Sequence, residues 1–280
     1  MIKVSVVVLN FKVKDLSLKC IKSVKKSSHN NLEIILVDNA SGDNISNVVD
    51  KDVKFIQNKE NLGYSGGNNI GIREALKNGA DYILILNPDT EIDGNCIKNL
   101  LEGLEKNNAD IVGPKIYFAN SKKIWYAGGI MDKDNVIGRH RGVDEEDNGQ
   151  YDKDSKTDFV TGAAIMIKKE VFRRIGFFDE KYFLYYEDSD FCFRAKKEGF
   201  SVWFLPEAKV YHENAASSGL GSPIQDYYIS RNRLVFASKF LPFRTKFALL
   251  REALRNLGNP MRRLALFDFL TGNLGKGSID

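Results

Sequence analysis

Two groups of carboxylates in this 280-residue chain stand where charge is costly. Asp89 closes the tripeptide Asn87-Pro88-Asp89 directly after the apolar run Tyr82 to Leu86, and Glu187, Asp188 and Asp190 lie inside the aromatic stretch Tyr182 to Phe193. An unpaired charge against apolar surface is expensive, so such groups hold a metal, a cation or a substrate proton. Proline cannot extend a parallel ladder, so the strand stops and presents Asp89 at its end. A hard cation takes such an isolated oxygen ligand alongside water and substrate oxygens. The plainer role for Asp89 is a cap on the helix that begins near Gly94, or an Asx turn. Helix capping accounts for one acid of the second group but not for three. A carboxylate partly desolvated among Tyr182, Phe183, Tyr185 and Tyr186 has its pKa raised towards that of a general base. Asp188 is the choice for that base, with Glu187 beside it, and Asp190 is placed to cap or brace.

The elements that must position these groups alternate in the first half of the chain. Strands are predicted at 3–10, 32–38, 53–57, 82–87 and 110–117, and helices near 14–27, 67–78 and 94–107. This is an α/β layout, a mostly parallel central sheet flanked by helices. Val4 to Leu9 and Ile34 to Val37 are near-continuous apolar runs, as strands covered on both faces should be. Ligands bind beyond the carboxyl ends of such strands, so the residues there matter: Asn10, Asp38, Asn58 to Gly67, and Asn87 with Asp89. Asp38 is placed like an acid that binds ribose hydroxyls or a base edge, with a turn role in Asp38-Asn39-Ala40-Ser41-Gly42 as the alternative. The stretch Asn61 to Asn69, with Gly66, Gly67 and Asn68, reads as a turn that admits close backbone approach and opens a helix whose free N–H groups suit phosphate. From 119 to 222 the pattern is less regular. The charged segment Asp144 to Asp158 reads as a mobile loop beside the cleft, and a second helix as lying near 188–199. His212 ends a short strand and matters only if it meets Asp89 in space. From about 224 the chain reads helical, broken at Pro242.

Composition bounds the rest. No apolar run approaches the roughly 20 residues of a membrane-spanning helix. The strand pattern begins at once after Met1, which leaves no room for a signal peptide, so a cytosolic location is expected. Cys20, Cys96 and Cys192 are odd in number and widely spaced, and read as reduced thiols. The net charge of +4 is terminal in origin: residues 231–263 hold nine basic groups against Glu252 alone, while residues 1–230 hold 31 basic and 34 acidic ones. Nucleic acid is a poor partner for a catalytic part that is slightly acidic and has no recognised binding module. The sequence does not fix an oligomeric state. A dehydrogenase would need GxGxxG after the first strand, and a sugar nucleotidyltransferase a glycine-rich basic loop there; Asn10-Phe11-Lys12-Val13 offers neither. A non-catalytic nucleotide-sugar-binding subunit would keep Asp38 and could dispense with the Glu187-Asp188 pair.

Taken in order, Val6 to Asn10, Val37 to Ser41, Asn61 to Asn69, Leu86 to Thr90, Thr161 to Ala164, Phe178 to Glu180, Tyr186 to Asp190 and His212 resemble the inverting glycosyltransferases of family 2, GT-A in fold, and in particular their rhamnosyltransferase-like branch. The resemblance covers about residues 3–235. It implies a nucleotide-sugar-binding half at 1–118, an acceptor-binding, catalytic half at 119–222 and a basic helical segment at 223–280. It further implies that Asp38 and the chain near Asn10 hold the base and ribose of a UDP- or dTDP-sugar, with Asn61 and Gly66 to Asn69 bordering the nucleotide. Asp89 would coordinate Mg2+ or Mn2+ on the diphosphate with His212 as a further ligand, although Asn87 replaces the first acid of the DxD motif. Asp188 would take the proton from a glycan or lipid-linked acceptor. The helices at 231–263 either lie on an anionic membrane face or pack on the catalytic part as a solvated pair.

Overall fold

The computed structural model describes residues 2–213 and 221–279. Its first half follows the apolar pattern closely: β1 (Val4–Asn10), α1 (Lys14–Val24), β2 (Leu32–Asp38), β3 (Lys54–Gln57), α2 (Gly63–Lys77), β4 (Tyr82–Leu86), β5 (Thr90–Ile92), α3 (Cys96–Lys106) and β6 (Ile111–Phe118). The short strands β7 (Ile124–Tyr126), β8 (Gly129–Asp132), β9 (Ile137–His140) and β10 (Ser155–Lys156) follow. Then come β11 (Ala164–Lys168), α4 (Lys169–Ile175), α5 (Glu187–Lys197), β12 (Val202–His212), and the helices α6 (Pro223–Phe240), α7 (Phe243–Arg255) and α8 (Pro260–Thr271).

One sheet runs β10-β12-β6-β11-β4-β1-β2-β3, with β5 paired to β12 and β7 to β6. Strands β3, β2, β1 and β4 are mutually parallel, and β12 is parallel to β6. β11 runs antiparallel to both β4 and β6, so β6 and β12 point the same way as β1. The carboxyl ends of all six therefore share one edge, as does the loop that enters β11. Two-residue periodicity in β1 builds both layers: Val4, Val6 and Val8 pack with Cys20, Ile21, Ile97 and Leu100 of α1 and α3, whereas Val7 and Leu9 pack with Ile72 and Ala75 of α2. The second layer also holds Phe191 of α5, Phe236 of α6, Leu249 of α7 and Leu266 of α8, so the C-terminal helices pack on the same core as α2 and α5. All three cysteines are free and buried, and burial pushes the Cys20 and Cys192 thiols up to about 12.

Two expectations are corrected. The stretch at Gly66, Gly67 and Asn68 is not a turn: α2 begins at Gly63, and a Cβ on Gly67 would lie 2.5 Å from Leu9 Cδ1. Its glycines let the helix sit close on β1. Nor is the charged segment 144–158 a loose loop. Lys115, 1% exposed in β6, donates to Asp147 at 2.9 Å and Asp152 at 2.5 Å, and Tyr117 donates its hydroxyl to Asp147. A buried ammonium needs anions, and the acidic segment supplies them. Burial opposes the Asp147 charge, but the bonds from Tyr117 and Lys115 overcome it and hold the carboxyl below its usual range. Its folded pKa is depressed, so its stabilisation is present above the unfolded value of about 3.9 and is lost as pH falls through the lower, folded one. Asp152 still faces Lys115 in Asp147→Asn, so the substitution is expected to cost about 1.5–3 kcal/mol at neutral pH and much less in acid. Thermal melts between pH 3 and 7 measure this; an unchanged melting temperature at pH 7 would show that the pair does not anchor the segment.

Candidate active site

The shared carboxyl edge collects every polar group that the strand ends were expected to present. Asn10 and Asp38 are register partners on β1 and β2, and both are buried. Asn10 Nδ2 donates to Asp38 Oδ1 at 2.6 Å, to Ser41 Oγ at 2.8 Å and to Asp43 Oδ2 at 3.0 Å, while Ser17 Oγ donates to Asn10 Oδ1 at 2.8 Å. Gln57, at the end of β3, donates to Asp38 Oδ2 at 2.7 Å. Asp38 also accepts from the Ser41 hydroxyl and, at 3.2 Å, from its backbone N–H, so the turn role is present as well. Asn61 braces its own loop: its side-chain oxygen accepts from Asn39 Nδ2 at 2.7 Å and from Gly63 N at 2.9 Å. In α2, the side-chain oxygens of Ser65 and Asn68 are buried and accept no hydrogen bond among the described residues. Asn69 is spoken for, exchanging bonds with the Phe178 backbone and donating to Glu180.

Asp89 does not cap the next helix; Asp93 accepts from Asn95 N there instead. Antiparallel pairing of β12 with β5 sets His212 opposite Thr90, the residue after Asp89. His212 Nε2 lies 3.3 Å from Asp89 Oδ1, and both side chains are buried. That oxygen and His212 Nδ1 have no hydrogen-bond partner among the described residues. Trp125 covers the imidazole at a centroid distance of 4.4 Å, and His140 packs edge-on against Trp125 at the same distance. Nothing in the spacing of Trp125 or His140 announced this aromatic cover.

Asp188 sits in the first turn of α5. Gly162 N donates to Asp188 Oδ2 at 2.9 Å, and Ser189 N to Oδ1 at 2.6 Å. One residue on, Ala163 O accepts from Asn87 N at 2.9 Å. The loop Thr161 to Ala163 therefore joins the two acidic groups, holding Asp188 through one residue and the Asn87–Asp89 tip through the next. Tyr64 of α2 closes the loop from behind, donating to Gly162 O at 2.6 Å. Gly162 has to be glycine, since a Cβ would lie 2.5 Å from the Tyr64 hydroxyl oxygen.

The two acids of the pair differ. Burial, and then the Asp188 charge, raises Glu187 well above the usual carboxyl range, and its Oε2 has no hydrogen-bond partner among the described residues. Burial also raises Asp188, but its anion accepts the Gly162 and Ser189 N–H bonds that Glu187 lacks. Of the two, Asp188 has N–H donors that offset its burial, so the environment favours its anion more than that of Glu187. Asp190 braces, as expected: it is fully buried, accepts from Arg194 Nε at 2.6 Å and from Tyr182 at 3.1 Å, and also meets Lys239 of α6. The backbone ahead of α5 is strained, with Phe183, Tyr185 and Tyr186 at φ of 63°, 69° and 74°. Side chains with a Cβ adopt that region at a cost of about 1–2 kcal/mol each.

An α/β sheet that gathers amide, carboxylate and imidazole groups along one carboxyl edge has the layout of a GT-A transferase. The chain belongs to glycosyl transferase family 2, whose model matches residues 5–176, and it is a glycosyltransferase. It is 28% identical over 234 residues to the low-salt glycan biosynthesis hexosyltransferase Agl10 of Haloferax volcanii, covering 82% of this chain and 74% of that protein. It is also 28% identical over 227 residues to the dTDP-rhamnosyl transferase RfbF of Shigella flexneri, covering 75% of this chain and 72% of the relative. Among solved structures the fold is similar to GalNAc-T7 with UDP, GalNAc and Mn2+, at a TM-score of 0.65 and 18% identity. That match covers 80% of this chain but only 45% of GalNAc-T7. It is similar too to S. aureus TarS 1-349 in complex with UDP-GlcNAc, at a TM-score of 0.57 and 16% identity over 96% of this chain and 72% of that one.

Proposed function

We propose that the protein is an inverting, metal-dependent hexosyltransferase that moves a sugar, rhamnose first among the candidates, from a UDP- or dTDP-sugar to a glycan or lipid-linked glycan in polysaccharide assembly. The observation that carries this is the Thr161–Ala163 loop, which bonds Asp188 through Gly162 and, through Ala163, the Asn87–Asp89 tip whose last residue meets His212. The similarity to a hexosyltransferase and a dTDP-rhamnosyl transferase supports the chemistry and the donor class. Residues 1–118 would bind the donor and 119–222 the acceptor, with Asn10, Asp38 and Asn61 at the nucleotide and Gly66, Gly67 and Asn68 bordering it.

Direct displacement at an anomeric carbon asks for a base on one side and charge stabilisation on the other, and for no side-chain nucleophile. Asp188 accepts the acceptor hydroxyl proton at its carboxylate oxygen. The Gly162 N–H on Oδ2 and the Ser189 N–H on Oδ1 keep the carboxylate aimed. Attack opposite the leaving group inverts the anomeric centre. On the donor side, Asp89 Oδ1 and His212 fit a Mg2+ or Mn2+ ion: a buried carboxylate oxygen with no hydrogen-bond partner among the described residues, beside an imidazole nitrogen. No group of three or more His, Cys, Asp or Glu that could hold a metal occurs among the described residues, so diphosphate and water oxygens would complete the shell. When bound, the ion neutralises the charge of the departing diphosphate. Melting curves with a panel of nucleotide-sugars and Mn2+ test the donor reading. A UDP- or dTDP-sugar is expected to raise the melting temperature only with the ion present. If no nucleotide-sugar shifts it, that reading fails.

The C-terminal helices divide their charge between two jobs. Arg231, Arg233, Lys239 and Arg262 are engaged inside the fold, the last three with Glu252, with Asp179 and Asp190, and with Asp226 respectively. Arg244, Arg251, Arg255 and Arg263 remain exposed beside Phe243, Phe247, Leu254, Phe267 and Leu270, of which Phe243 is 80% exposed. No helix among the described residues is long and apolar enough to cross a membrane. This outer face would instead rest on an anionic bilayer, the inner face of the cell membrane. Each apolar side chain is worth about 1.5–3 kcal/mol when buried and each arginine about 1 kcal/mol, so the apolar share is the larger. Sedimentation with phosphatidylglycerol vesicles is therefore expected to weaken, not vanish, in high salt, and to be lost in a Phe243→Ser, Phe247→Ser double variant. Absence of binding at low salt would remove the membrane contact.

A further inference from the structure

The strained segment ahead of the candidate base is held by two side chains from a distant helix. Asn232 of α6, fully buried, directs Nδ2 at three carbonyls in succession: Tyr182 O at 2.9 Å, Leu184 O at 2.8 Å and Tyr185 O at 2.9 Å. Arg231, also fully buried, donates from Nη2 to Tyr182 O at 3.0 Å and Lys181 O at 3.3 Å, and from Nε to Asn232 Oδ1 at 3.0 Å. Arg231 has no carboxylate among its described hydrogen-bond acceptors or ion-pair partners; its planar fork is spent on backbone oxygens and its neighbours' side chains. Within the same segment, Phe183 O accepts from Tyr64 N at 2.6 Å, and a Cβ on Gly63, at φ +69°, would lie 2.4 Å from that oxygen. Left-handed backbone at three aromatic residues persists only when its surroundings over-determine it. Here the first turn of α2 holds it from one side and the Arg231–Asn232 pair from the other. The segment ends at Tyr186, and the next two residues are Glu187 and Asp188.

We propose that Arg231 and Asn232 are positioning residues for sugar transfer: by fixing the carbonyls of Lys181, Tyr182, Leu184 and Tyr185 they set where α5 begins, and so where Asp188 meets Gly162. This rests on Asp188 being the base. A helix some 45 residues on in sequence is then a working part of the active site as well as the support of the basic outer face. Nothing in the inference needs either residue to touch substrate. Its consequence is selective: losing the clamp should displace the carboxylate without disturbing the Asn10–Asp38 end, where the nucleotide would bind.

The test compares Asn232→Asp, which keeps the shape and removes the donor, with wild type and with Asp188→Asn. Transfer is followed across pH, and donor binding is measured separately by calorimetry. The titratable groups facing Asp188 are Glu187, Tyr64, Tyr126, Tyr186 and Cys192, and none of them is altered. Asn232→Asp is expected to lower kcat at least tenfold, displace the acid limb of its pH profile and leave the donor Kd within twofold. If the folded variant keeps wild-type kcat and an unmoved limb while Asp188→Asn is inactive, the clamp is structural only and the positioning role is rejected. A fully active Asp188→Asn would reject the base itself, a separate failure. Should Asn232→Asp not fold, Arg231→Lys keeps the charge and loses the fork. The same readout applies, and an unmoved kcat and pH limb there would again reject the role.

Discussion

Asp188→Asn is expected to lower kcat by about 10²–10⁴-fold while donor binding stays close to wild type. The substitution is nearly isosteric, so Gly162 and Ser189 can still be engaged; what it removes is the ability to accept a proton. Glu187→Gln is the informative control. Burial and the Asp188 charge raise the Glu187 pKa and so favour its neutral form, and replacing it by an amide should cost far less than the change at its neighbour. The pH dependence follows with its sign. A base works deprotonated, so wild-type kcat should fall as pH drops through the Asp188 pKa. Burial raises that pKa, placing the fall above the usual carboxylate range. Steady-state kinetics at saturating donor and acceptor between pH 4 and 8 would measure both effects. Full activity in Asp188→Asn would remove this assignment.

Asp89→Ala is expected to act on the other half of the reaction. In the presence of Mn2+ its donor Kd should rise by about 100-fold or more, whereas without the ion variant and wild type should bind the nucleotide-sugar about equally weakly. His212→Ala should show the same ion-dependent pattern to a smaller degree, about tenfold, because the imidazole is the accessory member of the pair. Calorimetric titration of the donor with and without Mn2+ separates this from general damage, since a misfolded site would lose the ion-independent part too. Equal loss in both conditions would show that Asp89 supports the fold and not the ion. The chemistry of the pair makes that outcome unexpected: Asp89 Oδ1 is buried with no hydrogen-bond partner among the described residues, which is costly unless something cationic meets it.

Which parts of this arrangement were legible in the sequence follows from the kind of signal each carries. Asn10, Asp38 and Asp89 could be placed because apolar runs mark parallel strands, and such strands expose the residues at their carboxyl ends. Asp190 could be read as a cap or brace because it follows Asp188 by two residues at a helix start, and its pairing with Arg194 four residues on is what the structure adds. The meeting of His212 with Asp89 needed the register of β12 against β5, which no local pattern sets. The same holds for Lys115, whose anions lie more than 30 residues on, and for the segment 144–158, which looked loose because its partner could not be seen. The glycines of α2 read as a turn because glycine more often marks turns than close helix–strand contact, and only the 2.5 Å approach to Leu9 shows which reason applies. The left-handed aromatics at 183, 185 and 186 break local preference, and conflict of that kind gathers where a site must be held.

The most direct measurement is a crystal structure of the protein with a nucleoside diphosphate and Mn2+. The expected result has the diphosphate and ion against Asp89 and His212, the base and ribose near Asn10 and Asp38, and the Asp188 carboxylate facing the vacant sugar position across the Thr161–Ala163 loop. A diphosphate bound on any other surface, or an Asp188 side chain turned away from the cleft that holds it, would contradict sugar transfer by these two carboxylates.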